Sequence, residues 1–70
     1  MTKDTLVIWR LKKDANGKVT TPGGSGITTS DEADGQISVE KQTESWGDGH
    51  TKTLTPPVVA TFPVAELVVL

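Results

Sequence analysis

The chain has 70 residues, a net charge of −2 and no cysteine. That length limits it to one domain with a thin core, and the missing cysteine excludes disulfides and thiolate metal sites. Seven basic residues face nine acidic ones, so the electrostatic footprint of a nucleic-acid binder is absent. A scaffold of this size usually needs a staple. With disulfides excluded and His50 alone, association with other subunits is the expected source of extra stability. Cysteine-free composition fits assembly in a reducing cytosol. No signal peptide is expected, because only Leu6–Trp9 is apolar near the start. The apolar stretch from Val58 to Leu70 is broken by Pro63 and Glu66 and falls short of the ~20 residues of a membrane helix.

Thr5 to Leu11 is β-branched and aromatic, without Gly or Pro, and predicts a strand. Alternation puts Val7, Trp9 and Leu11 on one face and Leu6 and Ile8 on the other. The strand is expected to start inside and to emerge at Lys12-Lys13. Lys13 to Lys18 reads as a turn, with Asp14 accepting backbone N–H groups and Asn16-Gly17 tolerating positive φ. A short strand, Lys18 to Thr21, follows.

Pro22 to Gly35 is rich in Gly, Ser and Thr and predicts a long flexible loop, with Ile27 as its one apolar anchor and Asp31, Glu32 and Asp34 as its acidic end. Gln36 to Trp46 predicts a second strand. Regular alternation places Ile37, Val39, Lys41, Thr43 and Ser45 on one face, and leaves the other solvated up to Trp46. Gly47 to His50 is a turn. Thr51 to Thr55 is a third strand that Pro56-Pro57 breaks. Val58 to Phe62 and Val64 to Leu70 follow, split by Pro63. A helix over Val64 to Leu70 is disfavoured by its length and β-branched content. The expected fold is all-β: a small antiparallel sheet, sandwich or half-barrel. The apolar ending Leu67 to Leu70 is expected to be inserted into a sheet, its own or a neighbour's, or to continue in a longer protein.

No constellation predicts an enzyme. His50, the single histidine, sits in a glycine-flanked turn beside Asp48, and none of the serines lies in a strained nucleophile elbow. Asp31, Glu32 and Asp34 do not follow a calcium-loop pattern. Gly23 to Gly26 is not followed by the lysine of a phosphate loop. No cofactor or metal is expected. Trp9 is expected in the core. Trp46, at the end of a polar face, is expected either at a protein interface or packed locally over the following turn.

Lys3 to Leu11 resembles the first strand of tail tube proteins of long-tailed bacteriophages, and Gly35 to Gly49 is similar to the alternating strand and charged turn that follow in that family. Members of the family are longer. The resemblance implies a virion structural role, with subunits forming rings after assembly in the host cytoplasm and a long loop reaching a neighbour. Capsid decoration or head–tail joining fits the same features. The expected partners are protein subunits, with homo-oligomers first, and neither nucleic acid nor membrane. The expected interface residues are Trp46, Ile27, Asp31, Leu67, Val69 and Leu70. The alternative is a small phage-encoded β-protein that inhibits or modulates a host protein.

Overall fold

A computed structural model describes all residues, Met1–Leu70. The fold is all-β and antiparallel. Its strands are β1 (Leu6–Trp9), β2 (Lys12–Lys13), β3 (Val19–Thr21), β4 (Gly23–Thr28), β5 (Gln36–Ser45), β6 (Thr51–Pro63) and β7 (Val68–Val69), with a 3-10 turn at Val64–Glu66. Five strands form one sheet in the order β6-β5-β4-β1-β7, and β2 pairs with β3 in a separate hairpin.

The sheet is strongly curled. In a flat sheet, β6 and β7 would stand four strand spacings apart, about 19 Å. The chain passes from Pro63 to Val68 largely through the 3-10 turn, which advances only about 2 Å per residue. The two edges must therefore bend toward each other into a partly open barrel. The inner face holds the core cluster Val7, Trp9, Ile37, Val39 and Leu67, with Met1, Phe62 and Val64 packed against it.

The β2–β3 hairpin forms where the sequence predicts it. Asp14 Oδ1 accepts the N–H groups of Asn16 and Lys18, each at 2.9 Å, and Gly17 takes φ +80°. β1 buries Val7 and Trp9 and leaves Leu6 in solvent.

Three expectations are corrected. The Pro22 to Gly35 stretch is not one loop: Gly23–Thr28 is β4, paired on both sides, to β1 and to β5. The glycines are there because the backbones approach closely. A Cβ on Gly24 would collide with the Thr43 carbonyl oxygen and stand 2.9 Å from Trp9 Cζ2; one on Gly26 would collide with the Glu40 carbonyl oxygen. Second, β5 does not alternate regularly. Its register shifts between Lys41 and Thr43 against β6, and the matching shift in β4 falls between Ser25 and Gly26. The extra residue, Gln42, turns Thr43 to the face opposite Val39, where its Oγ1 lies 2.7 Å from Ser25 Oγ. Third, Pro56-Pro57 does not end a strand. β6 runs through both prolines for 13 residues, but its pairing with β5 lapses there: Lys41 faces Val58 and Thr43 faces Thr53, so Leu54 to Pro57 bulge from the ladder without partners, as an edge strand with a bulge allows.

What remains of the loop, Thr29 to Gly35, is ordered at both ends. Ala33 and Gln36 exchange N–H···O bonds of 2.9 and 3.0 Å around Asp34 and Gly35, both at positive φ. That is the two-residue turn in which Asp-Gly is favoured. Lys3 N–H donates to Asp31 Oδ1 at 2.9 Å and the N-terminal ammonium pairs with Glu32. Buried Thr28 donates its hydroxyl to the Thr2 carbonyl at 2.6 Å and accepts the Thr5 N–H at 2.8 Å, so the segment before β1 is tied down by a satisfied buried polar group.

Candidate protein interface

Residues opposite each other on antiparallel strands share a face. Leu6 lies opposite Ile27, and Ile8 opposite both Ser25 and Val68. The Leu70 N–H donates to the Leu6 carbonyl at 3.1 Å, which sets Leu70 beside Leu6. The outer face of β7, β1 and β4 thus carries one apolar patch: Leu70, Leu6 and Ile27 in one row, Val68 and Ile8 in the next. Leu6 is 55% exposed, Val68 50% and Leu70 72%, whereas an isolated exposed leucine would call for no explanation.

Four of the seven basic residues, Arg10, Lys12, Lys13 and Lys18, lie on or beside the β2–β3 hairpin, with Asp14 the one carboxylate among them. The acidic turn Asp31 to Asp34 leaves β4 at its other end. Charge is therefore separated along the β1–β4 pair.

Where the hairpin meets the barrel there is a cleft of about 350 Å³. Its floor is the aromatic pair Trp9 and Phe62; Leu11, Ala65 and Val68 add apolar wall, and Arg10, Lys12 and Glu66 stand among its lining. Lys12 Nζ is ion-paired with Glu66 Oε1. Arg10 has no carboxylate partner.

The predicted interface residues do not form one surface. Leu70 and Ile27 converge on Leu6. Val69 lies opposite Val7 and so points to the other face, 55% exposed. Leu67 belongs to the core at 9% exposure and cannot offer its side chain to a partner. Asp31 is exposed, in the acidic turn. Trp46 is half-buried at the far end of β5, its N–H donating to the His50 carbonyl at 3.2 Å. Leu6, Ile8 and Val68 were not among the predicted residues. The signal for the first two was present: apolar residues on both faces of β1.

His50 stays in its turn, with Nδ1 2.9 Å from Asp48 Oδ2 and its side chain 82% exposed. The Asp48 carboxyl is held below its ordinary range, first by the His50 backbone N–H and then by the His50 side chain.

No helix is long and apolar enough to cross a membrane. Fold and surface together define a small, curled antiparallel β-protein with an exposed apolar face. No family model, curated protein or solved structure matches the chain.

Proposed function

We propose that this chain is a non-catalytic structural subunit of a virion that packs on copies of itself or on other tail or capsid subunits. The observation that carries the reading is the contiguous apolar patch of Leu6, Ile8, Ile27, Val68 and Leu70 on an outer sheet face. A 70-residue chain with nine buried residues gains by covering such a patch. Of the two sheet edges, β6 is blunted by Pro56, Pro57 and Pro63, as edges that avoid pairing are. Assembly therefore uses the β7 edge and the patch beside it. The resemblance of Lys3 to Leu11 and Gly35 to Gly49 to tail tube segments supports the placement in a virion.

Light scattering across a concentration series tests this. Discrete oligomers, rings or tubes are expected. A chain that stays folded and monomeric at every concentration overturns the reading. The cleft between hairpin and barrel favours the second reading, a small protein that binds a host protein as a monomer or dimer.

A further inference from the structure

The cleft over Trp9 and Phe62 meets the outer apolar patch at Val68 but is otherwise lined by different residues and carries its own chemistry. Its volume of about 350 Å³ falls at the small end of natural ligand sites, which run from about 300 to 1,000 Å³. That is room for one large side chain and its neighbours, too little for a docked domain. The floor is pre-formed: the two rings are already packed, with centroids 4.7 Å apart. Apolar walls with few polar groups at the mouth are the anatomy of an anchor pocket.

The polar groups fix the sign of the occupant. Arg10 and Lys12 are both exposed cations. Glu66 is the one carboxylate in the lining, and it is engaged by Lys12. The unpaired cation is Arg10, and the surrounding hairpin adds Lys13 and Lys18. A cationic guest would meet this surface unfavourably; an anionic one would be drawn to it.

From this geometry we infer that the cleft is a recognition site for an acidic peptide segment of a partner protein, with one aromatic side chain as anchor seated on Trp9 and Phe62 and flanking carboxylates met by Arg10 and Lys12. The inference rests on the reading that the chain works by protein association, and it adds which chemistry the partner presents. The Lys12–Glu66 pair acts as a brake: it occupies a cation that the peptide would otherwise use.

The test is titration of the isotope-labelled chain with a capped pentapeptide, a central phenylalanine flanked by two glutamates on each side, followed by NMR. Resonances of the Trp9 indole, Leu11 and Ala65 are expected to shift and saturate, and added salt to weaken binding. Arg10→Glu is expected to weaken binding roughly fivefold, and Glu66→Gln to tighten it by a similar factor by releasing Lys12, the scale of an exposed charge pair. Arg10 is exposed and Glu66 partly so, and unchanged dispersion of the remaining amides verifies that the variants fold. The inference is overturned if a lysine-flanked peptide binds equally well, if replacing phenylalanine by alanine changes nothing, if Glu66→Gln weakens binding, or if the shifts map to Leu6, Ile27 and Leu70 on the outer patch. It is also overturned if 4-phenylbutyrate binds as tightly as the peptide, which would make this a site for small amphipathic anions. Peptide binding by a chain that never assembles would sink the virion reading and leave this inference standing. Assembly without peptide binding would do the reverse.

Discussion

The rings of Trp9 and Phe62 meet with centroids 4.7 Å apart and planes inclined by 39°, although β4 and β5 separate their strands in the sheet. Side chains stand roughly perpendicular to a sheet, so residues three strand spacings apart meet only if the sheet bends around them. This contact is the seam that holds the curl. It also explains how one sheet makes a core without a second layer: the two ends of the sheet pack on each other. Phe62→Ala should therefore cost about 2 kcal/mol, below the 3–5 typical of a fully buried phenylalanine because this one is half-buried. Chemical denaturation measures it. A loss under about 0.5 kcal/mol, the range of ordinary surface changes, would show that the seam is not structural.

Two glycines separate close approach from backbone conformation. Gly26 lacks the positive φ that favours glycine, but a Cβ there would collide with the Glu40 carbonyl oxygen and stand 2.9 Å from Val39 Cγ1. Gly17 has φ +80° and nothing within 4 Å of an added Cβ. Gly26→Ala should cost about 3 kcal/mol or more through overpacking. Gly17→Ala should cost about 1 kcal/mol through left-handed strain alone. Equal losses in the two variants would count against close packing as the reason for a glycine-rich strand.

That strand marks where the sequence was hard to read. β1, the β2–β3 hairpin, β5 and the turn at Gly47 are legible from local chemistry: β-branched runs, an Asx-capped Asn-Gly turn, and alternation in Ile37 and Val39. Trp9 in the core follows from the same alternation. β4 is not legible, because glycine and serine read as loop from propensity and their reason lies in β1 and β5, remote in sequence. The bulge at Gln42 is equally silent, and it moved Thr43 to the other face. Pro56-Pro57 signals a break by local rules, and the ladder to β5 does lapse from Leu54 to Pro57; what local rules miss is that the strand resumes at Val58 after the bulge. In the exposed apolar patch, Leu70 and Ile27 were legible as apolar residues in unexpected places. Leu6, Ile8 and Val68 were missed because apolar residues on both faces of a strand read as burial on both faces. In this sheet only the inner face is covered.

The Asp48–His50 turn sets an acid limit on local order. The Asp48 carboxyl is shifted down from its ordinary 3.8, first by the His50 backbone N–H and then by the His50 side chain. A carboxyl whose folded-state pKa is depressed contributes stability above its unfolded value and loses it as pH falls through the folded value. The contribution is thus intact at neutral pH and disappears below about pH 4. Carbon-detected NMR titration should show Asp48 ionising below its ordinary 3.8. In Asp48→Asn, acid loosening of the Trp46–His50 turn, read by amide exchange, should no longer change across that window. Asp48 titrating at or above its ordinary 3.8 would contradict the hydrogen-bonded geometry.

The apolar patch predicts a separation between folding and assembly. Leu6 and Val68 are 55% and 50% exposed, so in the isolated chain a carboxylate at either position remains hydrated and should change stability by about 0.5 kcal/mol or less. The row of Leu70, Leu6 and Ile27 has no ionisable side chain before Glu40 on β5, whereas Val68 lies in the next row and borders the cleft that also holds Arg10, Lys12 and Glu66. In an assembly that covers the patch, the same carboxylate is buried without a partner, a cost of several kcal/mol. Leu6→Asp and Val68→Asp should therefore keep the denaturation midpoint and abolish the concentration-dependent rise in light scattering. Val58→Asp supplies the contrast, because Val58 is comparably exposed at 49% but lies opposite Lys41 on the proline-blunted β6 edge. It should leave assembly intact. The opposite pattern, with Val58→Asp disruptive and Leu6→Asp silent, would move the interface to β6. It would also mean that three prolines do not protect that edge, since pairing there would have to proceed through the N–H groups that remain between them.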